Sequence, residues 1–206
     1  MTTTPEDVLL DQALEEMGRS LYPEHQRRAI NEFTAQRLQS YYVANPRVAI
    51  PAIRMYYEAT NLVEDHPSAA VVFFTSAIEL MLKVIALKPI ISGLVHNEAL
   101  AEVVVREVFK STGVTRLNGL LEQIAKNVAG IDIKTLGAST SAVDLIRMLA
   151  KAQEIRNGVV HRGEDATEAE VKEIWDLAKL VFGEIVQPLI KAIGLTIERD
   201  FTIRVC

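Results

Sequence analysis

The chain has 206 residues, 49% of them hydrophobic and 24% charged, with a formal net charge of −5. This balance is typical of a folded globular protein and excludes an intrinsically disordered one. The negative charge excludes nucleic-acid binding driven by overall charge alone. The single cysteine, Cys206, excludes an intrachain disulfide, and residues 1–7 contain no basic segment leading into an apolar one. We therefore expect a protein of a reducing compartment, the cytoplasm, without a secretory signal.

Residues 1–47 predict a helical extension to the main domain. Thr4 suits the N-cap of a first helix. Pro23 then interrupts the helical pattern, and a second helix is expected over residues 24–43. Pro46 separates these helices from the rest of the chain.

Residues 48–193 predict a helical bundle, because their hydrophobic residues recur at helical spacing. The expected helices cover residues 52–63, 69–87, 99–110, 117–128, 142–155 and 168–193. Thr167 and Glu170 have the spacing of a capping box, which fixes the start of the last helix. Pro188 should kink that helix.

Residues 69–87 are almost wholly hydrophobic and about as long as a membrane span. Glu79 and Lys83 lie within this stretch, where a charge is costly in hydrocarbon. A helix that is apolar on all sides is also what the centre of a bundle requires. We therefore expect a buried helix and no membrane association, with Pro89 and Gly93 ending the helix.

The last residues, 194–206, alternate hydrophobic and polar side chains around Glu198, Arg199 and Asp200, which indicates a short strand or hairpin. The sequence as a whole predicts an all-α fold, an up-and-down helical bundle with additional N-terminal helices and a short extended C-terminal tail. No clustered cysteines or histidines have the spacing of metal ligands, so no metal site is expected.

Arg156, Asn157 and His161 stand at the end of the helix predicted over residues 142–155. Cleaving RNA without a metal needs a base for the 2′-hydroxyl proton, an acid for the departing 5′-oxygen and a cation for the phosphate. Histidine titrates near neutrality and suits the proton transfers, and the planar fork of arginine suits the phosphate. Arg156 and His161 therefore have the side chains that a metal-independent ribonuclease site requires.

The spacing of Arg156 and His161 is a difficulty on a straight helix, where five residues place two side chains about 140° apart. Gly158 lies between them and Gly163 follows, so a distortion of the helix there has a low cost. The two valines after Gly158 can anchor the segment in the core. We expect the helix to distort or end near Gly158. The simpler alternative is an arginine that caps the helix and a loop histidine, with no chemistry.

Two stretches resemble the HEPN superfamily of helical-bundle proteins. The first, residues 57–83, has an alanine-rich beginning and a Glu-Leu-Met-Leu-Lys run that ends at Lys83, which is similar to the family's first core helix. The second, residues 154–164, contains an Arg-x4-His motif with a polar residue directly after the arginine, which resembles the family's Arg-x4–6-His motif. The resemblance covers roughly residues 48–193.

The resemblance implies a metal-independent endoribonuclease that needs no cofactor and acts on RNA as a homodimer, with two copies of the motif in one cleft. By position in the motif, His161 would be the general acid and base, Arg156 would hold the scissile phosphate, and Asn157 would orient or assist. Many family members are toxins or phage-defence effectors, which makes an antitoxin a candidate partner. Others have lost catalysis, so the alternative is a non-catalytic dimerisation module, or one that binds RNA or nucleotides.

Three further residues are candidates for a supporting part. Glu79 and Lys83 are four residues apart and face each other on a helix. They would fix helix packing as an ion pair, or Glu79 would approach Arg156 and tune it. Arg162 belongs to the charged loop directly after His161.

Four tyrosines at predicted helical positions could stack on RNA bases, as aromatic side chains do in RNA-binding proteins. At helical positions such residues more often belong to the core or to an interface. The four are Tyr41, Tyr42, Tyr56 and Tyr57.

Overall fold

The computed structural model describes residues 35–94, 98–110, 118–133 and 145–206, with Gln12, Glu16 and Glu32 in addition. The expected first helix and most of the second therefore lie outside the described residues. The chain divides into two compact units, Met1–Arg37 and Leu38–Cys206. Almost all of the described residues belong to the second unit, which contains the candidate site.

The second unit is built mainly of helices. Residues 38–44 are helical. The elements that follow are α1 (Ile50–Leu62), α2 (Pro67–Leu80, continued by a π-helical segment Met81–Leu87 and by Lys88–Leu94), α3 (Glu98–Lys110), α4 (Asn118–Ala129), α5 (Leu145–Asn157, continued by a π-helical turn Gly158–Arg162), α6 (Glu168–Leu180, continued by a π-helical segment Val181–Val186 and by Gln187–Ala192), β1 (Leu195–Ile197) and β2 (Ile203–Val205). Within the described residues β1 and β2 form the only sheet, so the expected all-α fold is confirmed.

Residues 38–44 belong to the main unit, although the sequence suggests a boundary after residue 47. Leu38 and Tyr42 are 2% and 1% exposed. The Tyr42 hydroxyl donates a hydrogen bond of 2.5 Å to the carbonyl oxygen of Ile85, and burial raises the pKa of Tyr42. The helical residues before Pro46 therefore complete the core instead of forming part of an extension.

The central helix of the unit is α2, which packs against α1, α5 and α6. Phe74, Ile78 and Leu82 on this helix are at most 2% exposed. Its stretch Pro67–Ser92 is long enough to cross a membrane, and its most apolar 18 residues have a mean hydropathy of 2.1, but 61% of that part is buried inside the protein. The prediction of a core helix is therefore confirmed for this stretch.

Pro89 does not end this helix, which continues to Leu94, so that expectation is wrong. The helix widens over Met81–Leu87, and the N–H of Lys88 bonds to the carbonyl oxygen of Lys83, five residues earlier. A proline normally breaks an α-helix because its ring meets the carbonyl of the preceding turn. The wider turn moves that carbonyl away, and the helix can continue.

The start of α6 has the expected capping box. The N–H of Glu170 donates to Thr167 Oγ1 at 3.3 Å, and the N–H of Thr167 donates to Glu170 Oε2 at 2.8 Å. A wide π-helical segment, Val181–Val186, directly precedes the α-helical turns that contain Pro188. The kink expected at Pro188 stays a prediction.

The C-terminal tail forms the expected hairpin. Strands β1 and β2 are antiparallel, with Leu195 opposite Val205 and Ile197 opposite Ile203. Leu195 and Ile203 are each 1% exposed, and the N–H of Ile203 donates to the carbonyl oxygen of Pro46 at 2.8 Å. The hairpin is therefore packed into the main unit.

Candidate functional site

The end of α5 is a wide turn. Residues Gly158–Arg162 follow a π-helical path, and the carbonyl oxygen of Gly158 accepts the N–H of Gly163 and, at 3.2 Å, that of Glu164. Gly163 has a φ of 66°, which glycine adopts without strain. The expected distortion near Gly158 is therefore confirmed. A wider turn also rotates less per residue, so it narrows the angle between the arginine and the histidine of the motif.

A salt bridge closes this turn from outside. Arg162 Nε and Nη2 donate to Glu164 Oε1 and Oε2 at 2.6 and 3.0 Å, and we call this pair the Arg162–Glu164 clamp. The hydrogen bonds and the opposite charges raise the pKa of Arg162 and lower that of Glu164. Because the guanidinium is already paired, Arg162 holds the loop in this structure and does not point a free charge at a substrate.

Gly158 lies directly under the clamp. The residue is buried, and a Cβ atom there would collide with Glu164 Oε2 and would lie 2.9 Å from Arg162 Nη2. A larger residue at this position would therefore displace the exposed ends of Arg162 and Glu164.

The three predicted catalytic residues all lie at this end of α5. Arg156 is half-buried, and its Nη1 donates to Oδ1 of its neighbour Asn157 at 3.2 Å. Asn157 and His161 are exposed. The structure brings Arg156 and Asn157 into contact, whereas the His161 imidazole makes no hydrogen bond to another described residue. One short segment therefore exposes an amide and an imidazole to solvent beside a half-buried guanidinium.

Glu79 and Lys83 form the expected ion pair on α2, with 3.5 Å between Lys83 Nζ and Glu79 Oε2 and side-chain exposures of 17% for Lys83 and 33% for Glu79. Gln153 Nε2 donates to Glu79 Oε1 at 3.3 Å. Gln153 lies one turn before Arg156 on α5. Glu79 therefore reaches the helix that carries the motif, and it does so through Gln153. Joining two helices is the arrangement expected of an ion pair that fixes packing.

The two valines of the turn have different environments. Val159 packs against the hydrophobic core, as expected, but Val160 is 45% exposed. The expectation that both anchor the segment is wrong for Val160, because adjacent residues on a helical turn point in different directions. The loop after the turn is tied to α2 by the N–H of Ala166, which donates to Ser68 Oγ at 3.0 Å.

Sequence reasoning missed two residues that shape the site, Glu164 and Gln153. The Arg-x-Glu spacing in the loop gives a weak signal for the clamp, because residues two apart do not face each other on a helix. They do so here only because the chain turns back at Gly163. Gln153 falls one turn before Arg156 and could have been found from that spacing.

Outside the end of α5, the titratable side chains of the described residues form no second candidate site. No group of three or more His, Cys, Asp or Glu side chains there could hold a metal ion. His66 is exposed at the N-cap position of α2 and makes no side-chain capping bond. His25 and His96 lie outside the described residues.

No family model, curated protein or solved structure matches this chain. The interpretation of the site therefore depends on the side chains at the end of α5 and on their geometry.

Proposed function

We propose that the protein is a HEPN-like, metal-independent endoribonuclease of the cytoplasm that acts as a homodimer. The observation that carries this proposal is the turn after α5, which exposes His161 and Asn157 beside the half-buried Arg156. The turn is held by Gly158 and by the Arg162–Glu164 clamp. This arrangement presents the side chains needed for RNA cleavage on a supported backbone.

The chemistry assigned to these residues is a transesterification. His161 takes the proton of a ribose 2′-hydroxyl, and the 2′-oxygen attacks the adjacent phosphorus. The bond to the 5′-oxygen breaks, and a protonated imidazole supplies the proton that this leaving group takes. Arg156 stabilises the charge on the phosphate oxygens during the attack. The products are a 2′,3′-cyclic phosphate and a free 5′-hydroxyl.

A second copy of the chain completes the proposed site. One imidazole must act as base while another acts as acid, and a two-fold pair of α5 ends supplies both. Val160 is 45% exposed next to His161, and in this proposal it lies in the contact between the two copies. In this proposal the dimer interface lies at the end of α5. The HEPN superfamily includes toxins and phage-defence effectors, so an antitoxin that inhibits the enzyme is a candidate partner.

The proposal is tested by RNA cleavage with purified protein and single substitutions. His161→Ala and Arg156→Ala should each lower the cleavage rate at least a hundredfold, because each removes a group that acts in the transition state. His66→Ala is the matched control, since His66 is also an exposed histidine at a helix end and should leave the rate unchanged. Equal rates for wild type and His161→Ala would contradict the assignment.

A second candidate is a non-catalytic dimerisation module, or one that binds RNA or nucleotides. The clamp favours it, because Glu164 neutralises Arg162 and so removes a cation beside the motif. This candidate predicts no cleavage by the wild-type protein while the dimer persists. A rate above background that His161→Ala abolishes would eliminate it.

A further inference from the structure

An apolar cavity of about 190 Å³ is lined by residues of α1, α2, α6 and the turn of the C-terminal hairpin. Its walls are mainly apolar and aromatic. They include Ile53, Tyr56, Tyr57, Met81, Phe182 and Phe201. None of the residues that line the cavity belongs to the Arg156–His161 segment.

Two wide helical turns face each other at this cavity. Met81 begins the π-helical segment of α2, and Phe182 belongs to that of α6. These two segments pack against each other. π-Helical turns are uncommon, and they occur frequently at functional sites. Their coincidence at one cavity is a reason to regard it as more than a packing defect.

Phe201 forms one wall of the cavity, and its backbone is strained. Phe201 has a φ of 64°, a left-handed conformation that is unfavourable for a bulky side chain. Its ring lies 5.6 Å from that of Tyr57, centroid to centroid. The turn is closed by the N–H of Phe201, which donates to the carbonyl oxygen of Glu198 at 2.9 Å. A glycine would satisfy the turn without strain, so the phenylalanine contributes the ring that closes the cavity.

The polar groups at the cavity define what it can accept. The Tyr56 hydroxyl accepts a hydrogen bond of 2.8 Å from Trp175 Nε1, which leaves its own proton to donate. Lys179 also lines the cavity, but its ammonium pairs with Asp176 at 3.0 Å and lies 4.2 Å from the centroid of the Trp175 ring. Tyr57 also lines the cavity, but this residue is 51% exposed and its hydroxyl can bond to water. The cavity therefore has one hydroxyl donor held in place by Trp175, that of Tyr56, and no uncompensated charge.

We propose that this cavity binds a compact, uncharged molecule with a single aromatic ring and one hydrogen-bond acceptor. An apolar protein cavity of about 150 Å³ is large enough to bind benzene, so the volume here suits one substituted ring. The surrounding rings favour an aromatic ligand through edge and offset contacts. An ionised ligand is disfavoured, because the only cation at the cavity is already paired.

The proposal is tested by fluorine NMR titration of the full chain with 4-fluorophenol and with fluorobenzene. Both should give saturable shifts. The phenol should bind several-fold more tightly, because its oxygen can accept the Tyr56 proton. Tyr56→Phe should remove this preference and leave fluorobenzene binding in place. Absence of saturable binding by either probe overturns the proposal, and so does a preference that survives Tyr56→Phe.

Filling the cavity gives an independent check. Ile53→Phe places a ring in the space, so it should abolish binding of both probes while the thermal midpoint stays at or above that of the wild type. Val43→Phe is the matched control, since Val43 is 54% exposed and does not line the cavity; it should leave binding unchanged. Wild-type affinity in Ile53→Phe contradicts the site.

Phe201→Gly removes one wall of the cavity and provides a second test if Ile53→Phe does not fold. Phe201→Gly suits the left-handed turn and should weaken both probes about tenfold through the lost ring contacts. Unchanged affinity in this variant also contradicts the proposal.

Discussion

At the residue scale, Gly158 determines the shape of the candidate site. Its carbonyl oxygen accepts two N–H groups of the returning loop, and the clamp of Arg162 and Glu164 lies directly over its Cα. The sequence indicates that the helix can give way here, because a glycine stands between the arginine and the histidine. It does not indicate the clamp, because the return of the chain at Gly163 is a tertiary feature.

Gly158→Ala should displace the clamp and change the free energy of unfolding by less than about 1 kcal/mol, because the atoms that the new Cβ meets are the exposed ends of two flexible side chains. The added Cβ would collide with the Glu164 carboxylate and crowd the Arg162 guanidinium. The free energy of unfolding in urea measures the effect. RNA cleavage should fall as well, because the turn orients His161 relative to Arg156.

Gly183→Ala is the control for this change. Gly183 is also helical, and a Cβ there meets nothing within 4 Å. The same substitution should therefore leave stability unchanged or raise it by about 0.5–1 kcal/mol, since alanine is the better helix former. A change of stability in Gly158→Ala equal to that in Gly183→Ala would show that displacing the clamp has no measurable cost.

At the element scale, the sequence predicts where the helices lie better than it predicts which of their turns are π-helical. The apolar spacing placed α1, α3 and α4 close to their observed positions, and the Thr167–Glu170 capping box was correct in detail. The π-helical segments were not predictable, because hydrophobic spacing does not distinguish a wide turn from an α-helical one. The continuation of α2 through Pro89 depends on such a segment.

Thr167→Ala should lower the free energy of unfolding by about 1 kcal/mol through loss of the cap. It should also change the pH dependence of stability. Hydrogen bonds from the Thr167 N–H and hydroxyl lower the pKa of Glu170 in the folded protein. The stabilisation they give is therefore present above the usual glutamate pKa of about 4.3 and is lost as the pH falls through the lowered value.

Thr167→Ala keeps the backbone N–H that bonds to Glu170 and loses only the hydroxyl. The free energy of unfolding of the variant should therefore still fall below about pH 4.5, but by less than that of the wild type. Urea unfolding at a series of pH values measures this. Thr60→Ala provides the control, because the Thr60 hydroxyl donates to the Tyr57 carbonyl oxygen and to no carboxylate. An acid dependence in Thr167→Ala identical to that of the wild type would refute the contribution of the hydroxyl.

At the scale of the whole molecule, the sequence predicts the all-α fold class correctly. It predicts less well which segments at the two ends of the chain belong to the main unit. The sequence sets residues 194–206 apart as a short tail, and in the structure Leu195 and Ile203 of this tail are buried in the core. Residues 38–44 join the same unit through Leu38 and Tyr42. Both differences arise because distant segments pack together, which local spacing cannot reveal. The candidate site is predicted from side-chain chemistry, from its position at a helix end and from the resemblance to the HEPN superfamily. The exposure of its side chains is evident only from the fold.

The central claim is that the end of α5 cleaves RNA without a metal, and the ends of the RNA products test it most directly. Wild-type protein in EDTA should convert RNA to fragments with 2′,3′-cyclic phosphate and 5′-hydroxyl ends, since the 2′-oxygen is the attacking group. His161→Ala should yield none. Cleavage that EDTA abolishes, or fragments with 3′-hydroxyl and 5′-phosphate ends, would contradict this account.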